Sequence, residues 1–289
     1  MRILVLRGGA LGDFLVTLPA LALLRQRWPD SRIELVGNVT AAALALTAGL
    51  LDAVHSQHEA RWGGLYGFQP LPRPLAAILG SFDLVISYWP DPAGELRRRF
   101  PAHPGQTALF GAALPTEAPA AAHYCAPLRP LGLTPTTLLY PLRTPVTESM
   151  LVALHPGSGS ARKNWAADQW LTLARWLEDE LHARLLVVTG EAEPAGLLAG
   201  AGQPARNLPL DQLADRLAGC RLFLGHDSGV SHLAAAAGAP CILLFGPTDP
   251  ALWAPPGPNV RVLRRGAELA SISLADVQQA VRAVLWDQR

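Results

Sequence analysis

The chain has 289 residues, which at roughly 150 per domain allows about two domains with sizeable cores. Hydrophobic residues make up 50% and charged residues 16%, which excludes a disordered chain or a coiled coil. Lysine plus arginine (24) nearly balances aspartate plus glutamate (23), so the net charge of +1 gives no steering towards nucleic acid.

Residues 3–6 are an unbroken apolar run, as in a strand buried on both faces of a parallel sheet. The turn Gly8-Gly-Ala-Leu-Gly12 follows, and apolar residues then recur at helical spacing from Phe14 to Trp28, where Pro29-Asp30 ends the pattern. A strand is expected over 33–36, a helix over 39–50 and a strand over 84–87, with long loops at 56–75 and 101–119. Residues 130–145, dense in Pro, Thr and Leu, read as an extended connection. The rhythm then restarts, with strands over 151–154, 185–188, 222–224 and 241–245. Helices are expected over 167–181, 210–218, 228–237 and 273–286. Alternating β and α in two halves predicts an α/β protein of two doubly wound, Rossmann-like parallel-sheet domains facing a central cleft. The longest uncharged stretch, 228–248, is cut by Gly238-Ala-Pro240 and Gly246-Pro247, so no membrane span is expected. Cys125, Cys220 and Cys241 are far apart with no CxxC pair, which fits a reduced compartment. Residues 1–7 are too short and too soon charged for a signal peptide, so a cytoplasmic location is expected.

Ligands of such sheets bind beyond the carboxyl ends of the strands, and four loops there carry chemistry. In Arg7-Gly-Gly-Ala-Leu-Gly-Asp13, Gly9 and Gly12 admit close backbone approach, and Asp13 sits at a helix start as either a cap or a functional carboxylate. The segment His155-Pro-Gly-Ser-Gly-Ser-Ala-Arg-Lys-Asn-Trp165 offers Ser158, Ser160 and Lys163, the hydroxyls and point charge that hold a diphosphate. Glu191 follows the next strand, where a carboxylate can take both hydroxyls of a ribose. Asp227 and Ser228 open a helix; a carboxylate there would cap the helix or order a sugar hydroxyl or a cationic neighbour. His226 and His232 hint at a metal, but no third ligand has suitable spacing. The sequence has no Asp-x-Asp pair, which favours neutralising phosphate with Lys163 and helix termini.

These segments together resemble glycosyltransferase family 9, the ADP-heptose:lipopolysaccharide heptosyltransferases. The resemblance rests on the residue 7–19 motif, His155-Pro-Gly-Ser with Lys163-Asn-Trp165, Leu217-Ala-Gly-Cys, Asp227-Ser-Gly-Val-Ser-His-Leu-Ala234 and Phe245-Gly-Pro-Thr-Asp-Pro250. It implies a GT-B fold, with an acceptor domain over 1–145 and a nucleotide-sugar domain over 146–272. The final helix, 273–288, is expected to pack back on the first domain through Ile272, Val277, Val281, Val284 and Leu285. It further implies an inverting, metal-independent transfer of heptose from ADP-heptose, with no cofactor, to a glycan or glycolipid hydroxyl at the cytoplasmic face of the inner membrane. By position, Asp13 resembles the family's catalytic base and Ser158, Ser160 and Lys163 the diphosphate cradle. Glu191 resembles the ribose ligand, and Leu208 lies where backbone meets adenine. Asp227, Ser228, Gly229 and His232 resemble the motif that meets the donor's phosphates and sugar. An anionic acceptor would find Arg61, Arg73 and Arg97 to Arg99 as basic candidates in the first half. The competing readings are another nucleotide sugar, a protein or exopolysaccharide acceptor, or a non-catalytic sugar-nucleotide-binding protein.

Overall fold

The structure, a computed structural model, describes residues 1–66, 69–146, 150–191, 193, 194, 196, 198 and 200–286. It divides into two compact units, Met1–Tyr140 and Pro141–Arg289, so the boundary falls inside the expected connection.

The first unit holds β1 (Arg2–Arg7), β2 (Arg32–Gly37), β3 (Ala53–Ser56), β4 (Leu84–Ser87) and β5 (Thr107–Phe110). They form a parallel sheet in the order β3-β2-β1-β4-β5. The central strand β1 explains its own sequence: Ile3, Leu4, Val5 and Leu6 are each 0% exposed, with helices available to cover both faces. The helical pattern from Phe14 to Trp28 is two helices, Leu11–Leu15 and Leu18–Arg27. A continuous helix would ask Pro19 for an amide it lacks, and its ring would meet the preceding turn. Thr17 marks the break, its hydroxyl donating to the Asp13 carbonyl at 3.0 Å while accepting from Arg7 Nε at 3.0 Å. The expected loop over 101–119 contains β5, and the one over 56–75 contains a 3-10 helix, Ala60–Leu65, and the start of a helix, Arg73–Leu79, while β3 ends where that loop begins.

The second unit holds β6 (Leu151–His155), β7 (Arg184–Thr189), β8 (Gln203–Arg206), β9 (Leu222–His226), β10 (Cys241–Leu244) and β11 (Val260–Leu263). These also run parallel, in the order β11-β10-β9-β6-β7-β8. Helix Ala167–Leu181 lays Trp170, Leu173, Ala174 and Leu177 into the core, where Trp170 meets Trp165 edge-on at 5.5 Å. The final helix, Leu274–Trp286, corrects an expectation. Ile272, Val277, Val281 and Leu285 are buried in this second core, with Val284 packed against it, so the stripe is satisfied within its own unit. Trp165 Nε1 anchors the approach by donating to the Ile272 carbonyl at 2.9 Å. Ser273 and Asp276 then exchange backbone and side-chain hydrogen bonds in a reciprocal cap that fixes where the helix starts. Residues 287 and 288, which the expected helix included, lie outside the described residues. All three cysteines are free and buried, and burial pushes the Cys125 and Cys220 thiols up to about 12. Among the described residues no helix is long and apolar enough to cross a membrane.

Candidate functional site

Asp13 occupies the third position of helix Leu11–Leu15, directly after the glycine loop that leaves β1. Its Oδ2 accepts from the Ala10 amide at 2.9 Å, and its Oδ1 lies 3.8 Å from Arg7 Nη2. Arg7 is 3% exposed, donating to the Asp13 and Ala113 carbonyls at 2.6 and 3.2 Å and lying 4.3 Å from the Tyr124 ring centroid. The folded-back carboxylate dictates the glycine before it. Gly9 has φ +100, and a Cβ there would lie 2.7 Å from Asp13 Cβ. Gly12 lies within the helix, its carbonyl accepting from the Val16 amide at 3.1 Å. Asp13 borders a pocket of about 540 Å³ lined also by Arg7, Gly9, Tyr66, Tyr88 and Trp89, all of the first unit.

In the second unit the strand order sets four expected segments side by side, because β9, β6, β7 and β8 are consecutive in the sheet. His155 at the end of β6 is in register with Gly225 of β9, so the loops that follow these strands start together. This juxtaposition puts Lys163 Nζ 2.9 Å from Asp227 Oδ2, with the two side chains 30% and 10% exposed. Of the roles open to Asp227 from sequence, ordering a cationic neighbour is the one this geometry realises. Ser228 caps helix Gly229–Ala236, accepting from the Ser231 amide at 3.3 Å. The Gly229 and Val230 amides carry no hydrogen bond to another described residue, which leaves two donors at a positive helix end. His232 is buried one turn into that helix.

The expected cradle residues differ in their availability. The Ser158 hydroxyl is 2.8 Å from the Ser160 carbonyl and 2.7 Å from Asn164 Oδ1, so it shapes the loop. The Ser160 hydroxyl has no hydrogen bond to another described residue and is open to a ligand. Glu191 is exposed at the start of the loop after β7, while Glu193, which the sequence reading passed over, is buried. Glu193 Oε2 accepts from the Gly190 amide at 2.6 Å, and its side chain fills the space that a Cβ on Gly157 would need. Half-buried Leu208 follows β8, and neither its amide nor its carbonyl is hydrogen-bonded to another described residue.

His226 is the other residue whose role the sequence hides. Its Nε2 accepts from the Trp165 amide at 2.9 Å and its Nδ1 faces the Gly157 carbonyl at 3.3 Å, so one imidazole ties both ends of the cradle loop. Accepting at Nε2 requires a neutral ring with its proton on Nδ1. Burial pushes His226 down to about 3, and neighbouring His155 adds to the effect. His155 is itself lowered by burial, against the opposing pull of its bond to the Val188 carbonyl. With both His226 nitrogens engaged, the ring has none to give a metal. Its sequence signal was its place as the last residue of an apolar strand, where burial is the rule.

The family model for glycosyltransferase family 9 (heptosyltransferase) matches residues 127–280. Lipopolysaccharide heptosyltransferase 1 of Pseudomonas aeruginosa is 41% identical over 105 residues, 35% of this chain and 29% of that protein. Its counterpart in Escherichia coli O18:K1:H7 is 35% identical over 126 residues, 41% of this chain and 38% of that protein. These matches therefore span well under half the length of either relative. Among solved structures, E. coli heptosyltransferase WaaC with ADP superposes with a TM-score of 0.76 at 22% identity, covering 98% of this chain and 100% of that one. The family 9 glycosyl transferase of Veillonella parvula gives 0.79 at 21% identity, covering 99% and 97%. At such identities the likeness is one of fold, the two-unit GT-B architecture.

Proposed function

The chain belongs to glycosyltransferase family 9, and from that premise we propose that it moves heptose from ADP-heptose to a hydroxyl of a lipopolysaccharide-type acceptor, with inversion and without a metal ion. The observation that carries the donor side is the Lys163–Asp227 pair beside the open Gly229 and Val230 amides. A leaving diphosphate needs compensating positive charge, and a lysine with a helix N-terminus supplies it. The buried Asp227 carboxylate aims the ammonium without neutralising every donor: a lysine has three N–H groups, and one reaches Asp227. Leu208 presents unpaired backbone to an adenine edge, and Glu191 an exposed carboxylate to the ribose.

On the acceptor side, Asp13 is the proposed base. The Ala10 amide holds Oδ2, which leaves Oδ1 to receive the proton of an acceptor hydroxyl. As that O–H bond breaks, the oxygen attacks the anomeric carbon from the face opposite the diphosphate. The bond from carbon to the phosphate oxygen then breaks and ADP leaves with the electron pair. This displacement inverts the anomeric centre. The enzyme would work at the cytoplasmic face of the inner membrane, where its acceptor is presented.

The test is transfer from ADP-heptose measured with and without a chelator, on the wild type and Asp13→Ala. The expected result is chelator-resistant transfer, a turnover lower by about 10²-fold or more in the variant, and near-normal ADP affinity. Transfer at the wild-type rate by Asp13→Ala would reduce Asp13 to part of a helix start, and magnesium-dependent transfer would remove the metal-independent mechanism.

A further inference from the structure

The pocket beside Asp13 has an aromatic, largely uncharged wall. Tyr66 stacks on Trp89 with ring centroids 6.2 Å apart and 14° between planes, and the Tyr66 hydroxyl donates to the Pro90 carbonyl at 3.1 Å. The tyrosine is thus pinned by its tip while 42% of its surface stays exposed. A fixed, exposed aromatic ring is a platform for the C–H face of a pyranose. Those C–H bonds are apolar and slightly positive, and the ring face is electron-rich. Gln57 and His58 also line the pocket and offer polar partners for sugar hydroxyls.

The charges point the same way. Among the described lining residues, Arg7 alone carries a permanent positive charge. It is 3% exposed, with three backbone or hydroxyl acceptors already on its guanidinium and Tyr124 against its face. The negative charge facing the pocket is Asp13, which would repel an acceptor carboxylate or phosphate. The arginines expected to meet an anionic acceptor do not line the pocket. Arg61 pairs with Glu59 at 2.7 Å and lies over Trp62, Arg97 lies over Phe110, and Arg98 and Arg99 donate to the Ala93 and Gln69 carbonyls.

We infer that this pocket takes an uncharged saccharide ring, seated on the Tyr66–Trp89 platform, in preference to a sugar acid or a phosphorylated sugar. The inference rests on reading the first unit as the acceptor side and narrows that reading to a substrate class.

A matched pair of probes tests it: methyl α-mannopyranoside and its 6-carboxylate, methyl α-mannopyranosiduronic acid, which differ in charge and little in shape. Binding of each to the whole protein is followed by ligand-observed NMR at about pH 8. The expected result is salt-independent binding of the neutral sugar, about 10-fold or more tighter than the acid at low salt, with the gap narrowing as salt screens the Asp13 charge. Tyr66→Ala, an exposed position whose truncation leaves the core intact, is expected to weaken neutral-sugar binding by about 10-fold and leave ADP affinity unchanged. Tighter or equal binding of the acid, no binding of either sugar up to tens of millimolar, or an unaffected Tyr66→Ala would each overturn the inference. ADP titration is a separate arm. A protein that binds the mannoside through Tyr66 but not ADP sustains the inference and overturns the proposed donor.

Discussion

If the proposed donor site is right, replacing Lys163 by alanine acts on it in two ways that can be separated. The first is loss of a charge-assisted contact to the diphosphate, on the order of 1.5 to 3 kcal/mol, or about 10- to 150-fold in ADP affinity. The second comes from what is left behind. Asp227 is 10% exposed on its side chain and loses the ammonium 2.9 Å away, so its charge then faces the phosphates uncompensated. At an effective dielectric of about 20, two like charges roughly 6 Å apart repel by about 3 kcal/mol, and water entering the vacated lysine site reduces this to about 1. The double variant Lys163→Ala/Asp227→Asn is therefore expected to bind ADP about 5-fold tighter than Lys163→Ala alone. Asp227→Asn by itself keeps the ammonium and is expected to change affinity by no more than about threefold. Titration calorimetry with ADP at low and high salt measures all three, and circular dichroism melting checks that each variant is folded. The gap between single and double variants should narrow at high salt. An affinity of Lys163→Ala within about twofold of the wild type would take Lys163 out of the cradle. A double variant no better than the single would show that the Asp227 charge is not felt by the ligand.

Acid stability follows from His226. Between pH about 3 and about 6.5 the unfolded chain binds a proton there and the folded chain does not, so stability is lost as the pH falls through that window, by up to about 1.4 kcal/mol per unit. Denaturant unfolding at stepped pH should show this slope in the wild type and a shallower one in His226→Gln, whose amide can serve the same two partners; an unchanged slope would assign the loss elsewhere. Gly9→Ala is expected to cost about 1 to 3 kcal/mol of stability and to push the Asp13 carboxylate off the Ala10 amide. Turnover should fall while ADP affinity holds, and a fully active Gly9→Ala would show that the folded-back carboxylate is not the working one.

The strands that sequence reasoning found and missed divide by position. The apolar runs of β1, β2, β4, β6, β7, β9 and β10 were legible, because each lies between two neighbours in its sheet and is flanked by helices. β3, β5, β8 and β11 are the four sheet edges, and one-sided pairing asks little of composition. β8 even carries Pro204, which an edge tolerates. Candidate site residues stand out in the sequence wherever a loop residue announces itself by type, as Asp13, Lys163 and Asp227 do. Glu193 and His226 were not, since what they do depends on burial against Gly157, a residue distant from both in the chain. The final helix shows the same limit: its stripe was readable, but the surface it covers was fixed by Ile272 and Trp165.

The imidazole that ties Gly157 to Trp165 also bears on how fast a nucleotide can dock. A loop left slack would lose about 1 to 2 kcal/mol of backbone conformational freedom for each residue that a ligand had to order. Here that freedom is already lost when the second unit folds, so on the proposed donor reading a diphosphate would meet a shaped surface. Its arrival is then governed by diffusion and by the field of Lys163, without the delay of an ordering step. Loosening the tie while leaving every ligand-facing group in place should therefore slow association alone, whereas removing the lysine charge should both slow arrival and speed release.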